Sequence, residues 1–114
     1  MISFLFRINA SFLGYPTRPI TVPRSQVSYI DVRALADQSK DVWITVQGHR
    51  SVRGQLYHNV AGYGEYYQLR CVEPIWLQGG PIRLGALTRV GLYVADGRLE
   101  VDMRVIEPEA NAAA

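Results

Sequence analysis

The residues best suited to chemistry lie close together between Leu56 and Cys71. This stretch holds His58, which is one of two histidines, four of the seven tyrosines and the only cysteine. A cysteine acts as a nucleophile when a histidine takes its proton and a third group orients that histidine. His58 or His49 would be the base for Cys71. A small enzyme with a site around His58 and Cys71 is therefore one hypothesis.

The pattern around Cys71 argues against catalysis. Cys71 shares the parity of Tyr67 and Leu69 in an alternating apolar and polar stretch. Such alternation is typical of a strand with one buried side. A thiol buried in a strand behaves as a small apolar group and is inert. We therefore predict no catalytic residue.

Metal binding is disfavoured by the spacing of the histidines. His49 and His58 are nine residues apart and are predicted to lie at opposite ends of one strand. At about 3.3 Å per residue they would be about 30 Å apart, which is too far to share an ion. A single cysteine excludes both an internal disulfide and a cysteine-rich zinc site. We predict no metal and no cofactor.

The remaining motifs are also weak signals of chemistry. Glu100 and Asp102 fall on one strand face beside Arg104, which is the pattern of a solvated face with cross-strand partners. Gly62 and Gly64 form a Gly-x-Gly that lacks the third glycine and the helix of a dinucleotide-binding loop. The same glycines overlap an RNA-recognition signature, but its basic and second aromatic positions are missing.

Composition indicates one folded domain. The chain has 114 residues, of which 48% are hydrophobic and 19% charged, so intrinsic disorder is not expected. We predict a single domain over 1–107 and a flexible C-terminal tail over 108–114. No leader and no membrane-spanning run is recognised. These features predict no membrane partner and a location in the cytoplasm or in a virion.

Charge is distributed unevenly along the chain. Residues 1–60 carry seven basic and three acidic side chains, whereas residues 61–114 carry five basic and seven acidic ones. A basic region of this kind suits phosphate groups, but it is equally an ordinary solvated surface. The charge alone therefore leaves nucleic acid as an alternative partner.

Strand patterns dominate the chain. Apolar residues alternate from Ile2 to Phe12, which predicts one long strand with a bend or bulge. Segment 14–25 is rich in proline and is expected to be an extended loop or an edge strand. Segment 26–39 is the one helical candidate, since Ser28 and Asp31 resemble a capping box. Its pattern fits equally well a strand through Ile30 and Val32 that ends in one helical turn.

One hairpin is predicted with its register. Asp96-Gly97 is a preferred two-residue turn because both of its positions need positive φ. The pairing that follows joins apolar residues on one face, namely Val94 with Leu99, Leu92 with Val101 and Val90 with Met103.

A second hairpin is predicted around a three-residue loop at residues 48–50. This loop would pair Val46 with Val52 and Val42 with Leu56. The glycine of the loop stands at its first position, whereas such loops favour glycine at the left-handed position. The predicted register therefore rests on the apolar pairs and not on the turn type.

These elements predict an all-β, single-domain antiparallel β-barrel or β-sandwich of about seven to nine strands, with at most one short helix near 28–39.

The hypothesis that we favour is a non-catalytic subunit of a larger protein assembly, either a homo-oligomer or, by analogy, a capsid decoration, connector or tail component of a virion. The alternative is a β-barrel module that binds single-stranded nucleic acid. Aromatic and arginine residues suit either partner, although we favour protein. The candidate interaction surface consists of Trp43, Arg50, Arg53, Tyr57, Tyr63 and Tyr66.

Overall fold

A computed structural model describes residues 1–39, 41–77 and 80–108 of the chain. The predicted C-terminal tail therefore lies outside the described residues except for Pro108. In chain order the elements are β1 (Ile2–Arg7), α1 (Ala10–Gly14), β2 (Ile20–Thr21), α2 (Tyr29–Gln38), β3 (Val42–Val46), β4 (Val52–Ala61), β5 (Gly64–Cys71), β6 (Leu87–Ala95) and β7 (Arg98–Glu107).

The seven strands form one mixed sheet in the order β1-β6-β7-β3-β4-β5-β2. The prediction of a fold made mostly of β-strands is confirmed, but the sheet is mixed rather than wholly antiparallel, and there are two helices rather than at most one. Neighbouring strands run antiparallel except β3 and β7, which are parallel. Their register places Trp43 opposite Glu100. The sheet is not closed, because β1 and β2 are edge strands. The edge position of β2 agrees with the prediction for the proline-rich segment.

The hairpin of β6 and β7 has the predicted register. Val90, Leu92 and Val94 lie opposite Met103, Val101 and Leu99. At the turn, Asp96 and Gly97 both have positive φ, at 52° and 75°. Any shift by one residue would move the apolar side chains to the opposite face, so the pattern determines the register.

The register predicted for β3 and β4 is wrong by two residues. Val52 lies opposite Ile44 rather than Val46, and Val42 lies opposite Gly54 rather than Leu56. The physical reason is at Gly54, where the space that a side chain would fill holds the Ile44 side chain. Val46 remains in the sheet through its pairing with β7.

The long N-terminal strand is a strand followed by a helix. β1 ends at Arg7, and the Asn9 side chain accepts a hydrogen bond from the Phe12 backbone N–H at 2.9 Å to begin α1. Ile8 and Phe12 are both buried. Ile8 precedes the cap and Phe12 lies within the helix, so their shared parity does not come from one continuous strand. The asparagine cap favours the helix.

Segment 26–39 contains a full helix, so the prediction of a strand through Ile30 and Val32 is wrong. α2 begins after Ser28, whose hydroxyl accepts from the Ile30 backbone N–H at 3.3 Å. Asp31 lies in the first turn, where a negative charge favours the helix. Val32 is the buried residue of α2, which packs on β6 and β7.

The sheet curls strongly, so that its two edges approach each other. The Val22 N–H donates to the Tyr67 carbonyl of β5 at 2.9 Å, and Gln26 bonds Leu5 of β1. Four residues of chain span at most about 14 Å. A flat sheet of seven strands would hold its edges about 29 Å apart. One short segment therefore connects the two edges only because the sheet is curved.

Candidate interaction surface

The two faces of the sheet differ in what covers them. The inward face carries the apolar core, with Phe12 of α1 and Val32 of α2 buried against it. On the outward face, none of the strand residues that the structure describes is buried. We call this outward face, from β1 across to β5, the open face. It is the place where a partner could contact the sheet.

Three tyrosines and one arginine form a continuous strip on the open face and at the hairpin tip. The Arg70 guanidinium lies 4.0 Å from the centre of the Tyr57 ring. The ring centroids of Tyr57 and Tyr66 are 6.2 Å apart, and those of Tyr66 and Tyr63 are 5.9 Å apart. We call these four residues the tyrosine strip.

Three members of the strip, Tyr57, Tyr66 and Arg70, are held in place by hydrogen bonds. The Asn59 side-chain amide donates to the hydroxyl of Tyr57 at 3.1 Å and to that of Tyr66 at 3.5 Å. Arg70 is fixed by its hydrogen bond to Gln68 at 2.6 Å. Tyr63, at the tip of the turn between β4 and β5, is 82% exposed. The strip thus presents aromatic surface whose conformational freedom is already reduced.

Trp43 and Arg53 lie beside the strip on neighbouring strands. They are direct cross-strand neighbours, and Glu100 lies on the other side of Trp43. The Arg98 guanidinium lies 4.9 Å from the Trp43 ring and forms an ion pair with Glu100 at 3.2 Å. Sequence reasoning missed Arg98, because the parallel pairing of β3 and β7 joins segments that are far apart in the chain.

Five of the six predicted surface residues lie on the open face or at its rim, and Arg50 does not join them. Arg50 is exposed in the loop before β4, whereas Tyr63 follows the end of β4. Ten strand residues separate the two ends by about 33 Å.

Arginines outnumber carboxylates on the open face. Its carboxylates within the described strands are Glu100, Asp102 and, at the end of β7, Glu107. Asp102 forms an ion pair with Arg104 at 2.9 Å, and Glu100 forms one with Arg98 at 3.2 Å. The arginines that the strands present there, apart from Arg7 at the end of β1, are Arg53, Arg70, Arg89, Arg98 and Arg104. In the whole chain the two signs are nearly balanced, with 12 basic and 10 acidic residues. The open face is therefore more positive than the average surface of the protein.

A shallow apolar groove lies at the other side of the open face, over Gly91. It has a volume of about 360 Å³ and is lined by Met1, Tyr93 and Ile106 among others. Gly91 lowers the floor because it has no side chain. The open face therefore combines a basic aromatic half on β4 and β5 with a more apolar half on β1, β6 and β7.

The inward side of the β4–β5 hairpin carries a cluster of charged groups. The Glu65 carboxylate bonds His58 Nε2 at 2.8 Å and Arg33 Nη2 at 3.2 Å. The hydrogen bond from His58, with the charges of His58, Arg33 and Arg24, holds the pKa of Glu65 below its ordinary value. His58 also stacks on Tyr67 with centroids 4.6 Å apart. These contacts fasten α2 to the hairpin.

The structure does not bring His58 to Cys71. His58 lies opposite Tyr67, whereas Cys71 lies opposite Gly54, four residues and about 13 Å further along the strand. Cys71 is buried, and burial raises the pKa of its thiol to about 11. A thiol of this kind carries almost no thiolate at neutral pH. In the described ranges, no three His, Cys, Asp or Glu side chains are grouped so that they could hold a metal ion.

Comparison with known protein families, with curated proteins and with solved structures gives no match. Across residues 1–39, 41–77 and 80–108, no helix is long and apolar enough to cross a membrane. The location in the cytoplasm or in a virion stays a prediction.

Proposed function

We propose that the protein is a non-catalytic subunit of a larger protein assembly, and that a protein partner packs on its open face. The observation that carries this proposal is the tyrosine strip on a sheet face that none of the described residues covers with a second layer. Tyr, Trp and Arg are the residues enriched at protein interfaces, where rigid aromatic side chains lose little entropy on binding. We propose a partly open β-barrel as the architecture, and the curl of the sheet supports it.

Native mass measurement of the purified protein at low and at high salt tests this function. Contacts made mainly by aromatic burial should survive about 1 M salt, because screening weakens only the charge pairs. Replacing both Tyr57 and Tyr66 by Ala should weaken the complex at least about tenfold. Trp76→Ala is the matched control, since Trp76 is an aromatic residue that is 75% exposed and lies in the segment after β5, near Leu13 and Pro16 rather than on the open face. A protein that stays monomeric at every salt and concentration, with no protein partner recovered from its source, contradicts the proposal.

Single-stranded nucleic acid is the second candidate partner, and the excess of arginine on the open face favours it. Aromatic rings stack on bases, and arginines contact phosphates. Binding to a dT oligonucleotide would then fall steeply with salt and drop about tenfold for Trp43→Ala and for Arg53→Gln. Arg83→Gln is the control, because Arg83 is exposed but precedes β6. A monomer that retains nucleic acid during purification would replace the first candidate by this one.

A further inference from the structure

The edge strand β1 is covered at its centre by a single side chain. The Leu5 N–H donates to Gln26 Oε1 at 2.8 Å, and Gln26 Nε2 donates to the Leu5 carbonyl at 3.1 Å. The side-chain amide of Gln26 thus replaces the two backbone hydrogen bonds that a residue of a neighbouring strand would form with Leu5. Both residues are exposed. An edge strand with unpaired groups is a template for another strand, so Gln26 blocks the middle of that template.

Gln26 belongs to a segment that bridges the two edges of the sheet. We call Val22–Val27 the strap. At one end, Val22 bonds Tyr67 of β5, and Arg24 donates to the carbonyl of Glu65. Near the other end of the strap, the two hydrogen bonds between Gln26 and Leu5 connect it to β1. A strand added to β1 would require this end of the strap to move away.

β1 is complementary to a second copy of itself. Because backbone groups alternate along an antiparallel ladder, those of Ser3 and Arg7 face the same edge as those of Leu5. Two copies of β1 that run antiparallel about a twofold axis at Leu5 would set each Leu5 opposite its counterpart and each Ser3 opposite an Arg7. No like charges would face each other, since Arg7 is the charged residue of β1. Phe4 and Phe6 would meet on the inward side.

We propose that β1 is a strand-addition site for a second copy of this chain, and that Gln26 competes with that copy for Leu5. This inference goes beyond the proposed function, because it uses the sheet edge rather than the open face. A twofold contact of this kind is self-complementary and closes as a dimer.

Sedimentation equilibrium of Gln26→Ala tests the competition. Each copy of the wild type gives up two hydrogen bonds to the strap when the dimer forms, so their removal should lower the dissociation constant of the dimer about tenfold. Gln38→Ala is the matched control, since Gln38 is an exposed glutamine at the end of α2, away from both β1 and the open face. Equal dissociation constants for Gln26→Ala and the wild type would overturn the proposal. Replacing Tyr57 and Tyr66 by Ala should leave the difference in dissociation constant between Gln26→Ala and the wild type unchanged. The two proposals can therefore fail independently.

Cross-linking tests the register of the two strands. Leu5→Cys, combined with Gln26→Ala, should form a disulfide dimer under mild oxidation, because opposed Cα atoms about 5.5 Å apart are within the range for a disulfide. Cys71 should not react, since it is buried and the pKa of its thiol is about 11. Val60→Cys in the same background is the control for random collision, since Val60 is 68% exposed near the end of β4. Cross-linking of Leu5→Cys no faster than of Val60→Cys would overturn the proposed pairing.

Discussion

Glu65 is the residue at which α2, the strap and the β4–β5 hairpin meet. Its carboxylate accepts from His58 and from Arg33, and its backbone carbonyl accepts from Arg24. The contact between α2 and the strand pair combines this ionised group with the edge-to-face packing of the Tyr29 and Tyr67 rings, whose centroids are 5.0 Å apart. Because the folded state lowers the pKa of Glu65, the ionised carboxylate stabilises the fold.

The stability that Glu65 contributes should depend on pH in one direction. It should be fully present above the ordinary pKa of glutamate, about 4.3, and be lost as the pH falls through the lower folded pKa. Glu65→Gln should therefore unfold at a lower temperature than the wild type at pH 6 to 7, and the two midpoints should converge in acid. Thermal unfolding followed by circular dichroism between pH 3 and pH 7 measures this. Glu107→Gln, at the exposed end of β7, is the control. A constant offset at every pH would show that Glu65 acts by packing alone.

Gly54 determines the register of β3 against β4. A Cβ atom on Gly54 would lie 2.9 Å from the backbone carbonyl oxygen of Arg70 and would also meet the Ile44 side chain. Gly54→Ala should therefore destabilise the fold by about 1–3 kcal/mol, which is the usual cost of overpacking. Urea unfolding measures the change. Gly62→Ala should cost much less, because nothing lies within 4 Å of the added atom. Equal costs at the two positions would mean that crowding at Gly54 does not set the register.

Among the elements, α1 shows how one pattern can serve two structures. Ile8 and Phe12 fit the even parity of β1, so the sequence predicts a continuous strand, yet Asn9 begins a helix there. The β6–β7 hairpin could be predicted because turn type and apolar pairs agree on one register. The β3–β4 register could not, since parity alone allows shifts by two residues, and only the packing of Ile44 over Gly54 decides between them.

The cap of α1 should carry most of the preference for helix over strand at this point. Asn9→Ala removes the acceptor for the Phe12 N–H and should lower the free energy of unfolding by about 1 kcal/mol. Ser11→Ala is the matched control, because Ser11 is exposed within α1 and does not cap it. Ser11→Ala should change stability by less than about 0.5 kcal/mol. Chemical denaturation resolves the difference in free energy of unfolding. An equal loss of stability for Ser11→Ala and Asn9→Ala would show that the cap is not the cause.

For the whole molecule, the open face exists only because distant segments pair. Tyr57, Tyr63 and Tyr66 could be found from the sequence, since one hairpin carries all three. Arg98 could not be assigned to Trp43, because the parallel pairing of β3 and β7 joins residues 57 positions apart, which no local pattern reveals. Arg70 was visible in the sequence, but its position over Tyr57 depends on the β4–β5 register. The surface residues that one hairpin carries could thus be predicted, whereas the residues that other strands add to the surface could not.

Hydroxyl-radical footprinting of the assembled protein should show which exposed aromatic side chains a partner covers. Tyr63, Tyr15 and Trp76 are 82%, 60% and 75% exposed, and all three should be oxidised in the free protein. If the partner packs on the open face, the oxidation of Tyr63 should fall several-fold on assembly, because burial at an interface excludes solvent. Trp76 should stay reactive, since it lies in the segment after β5 near Leu13 and Pro16. Tyr15 lines a groove with Arg70 of the tyrosine strip, so its reactivity does not separate the two surfaces. In the variant that lacks Tyr57 and Tyr66, Tyr63 should remain as reactive as in the free protein. Protection of Trp76 with Tyr63 still reactive would place the partner on the surface around Trp76 and would contradict assembly through the open face.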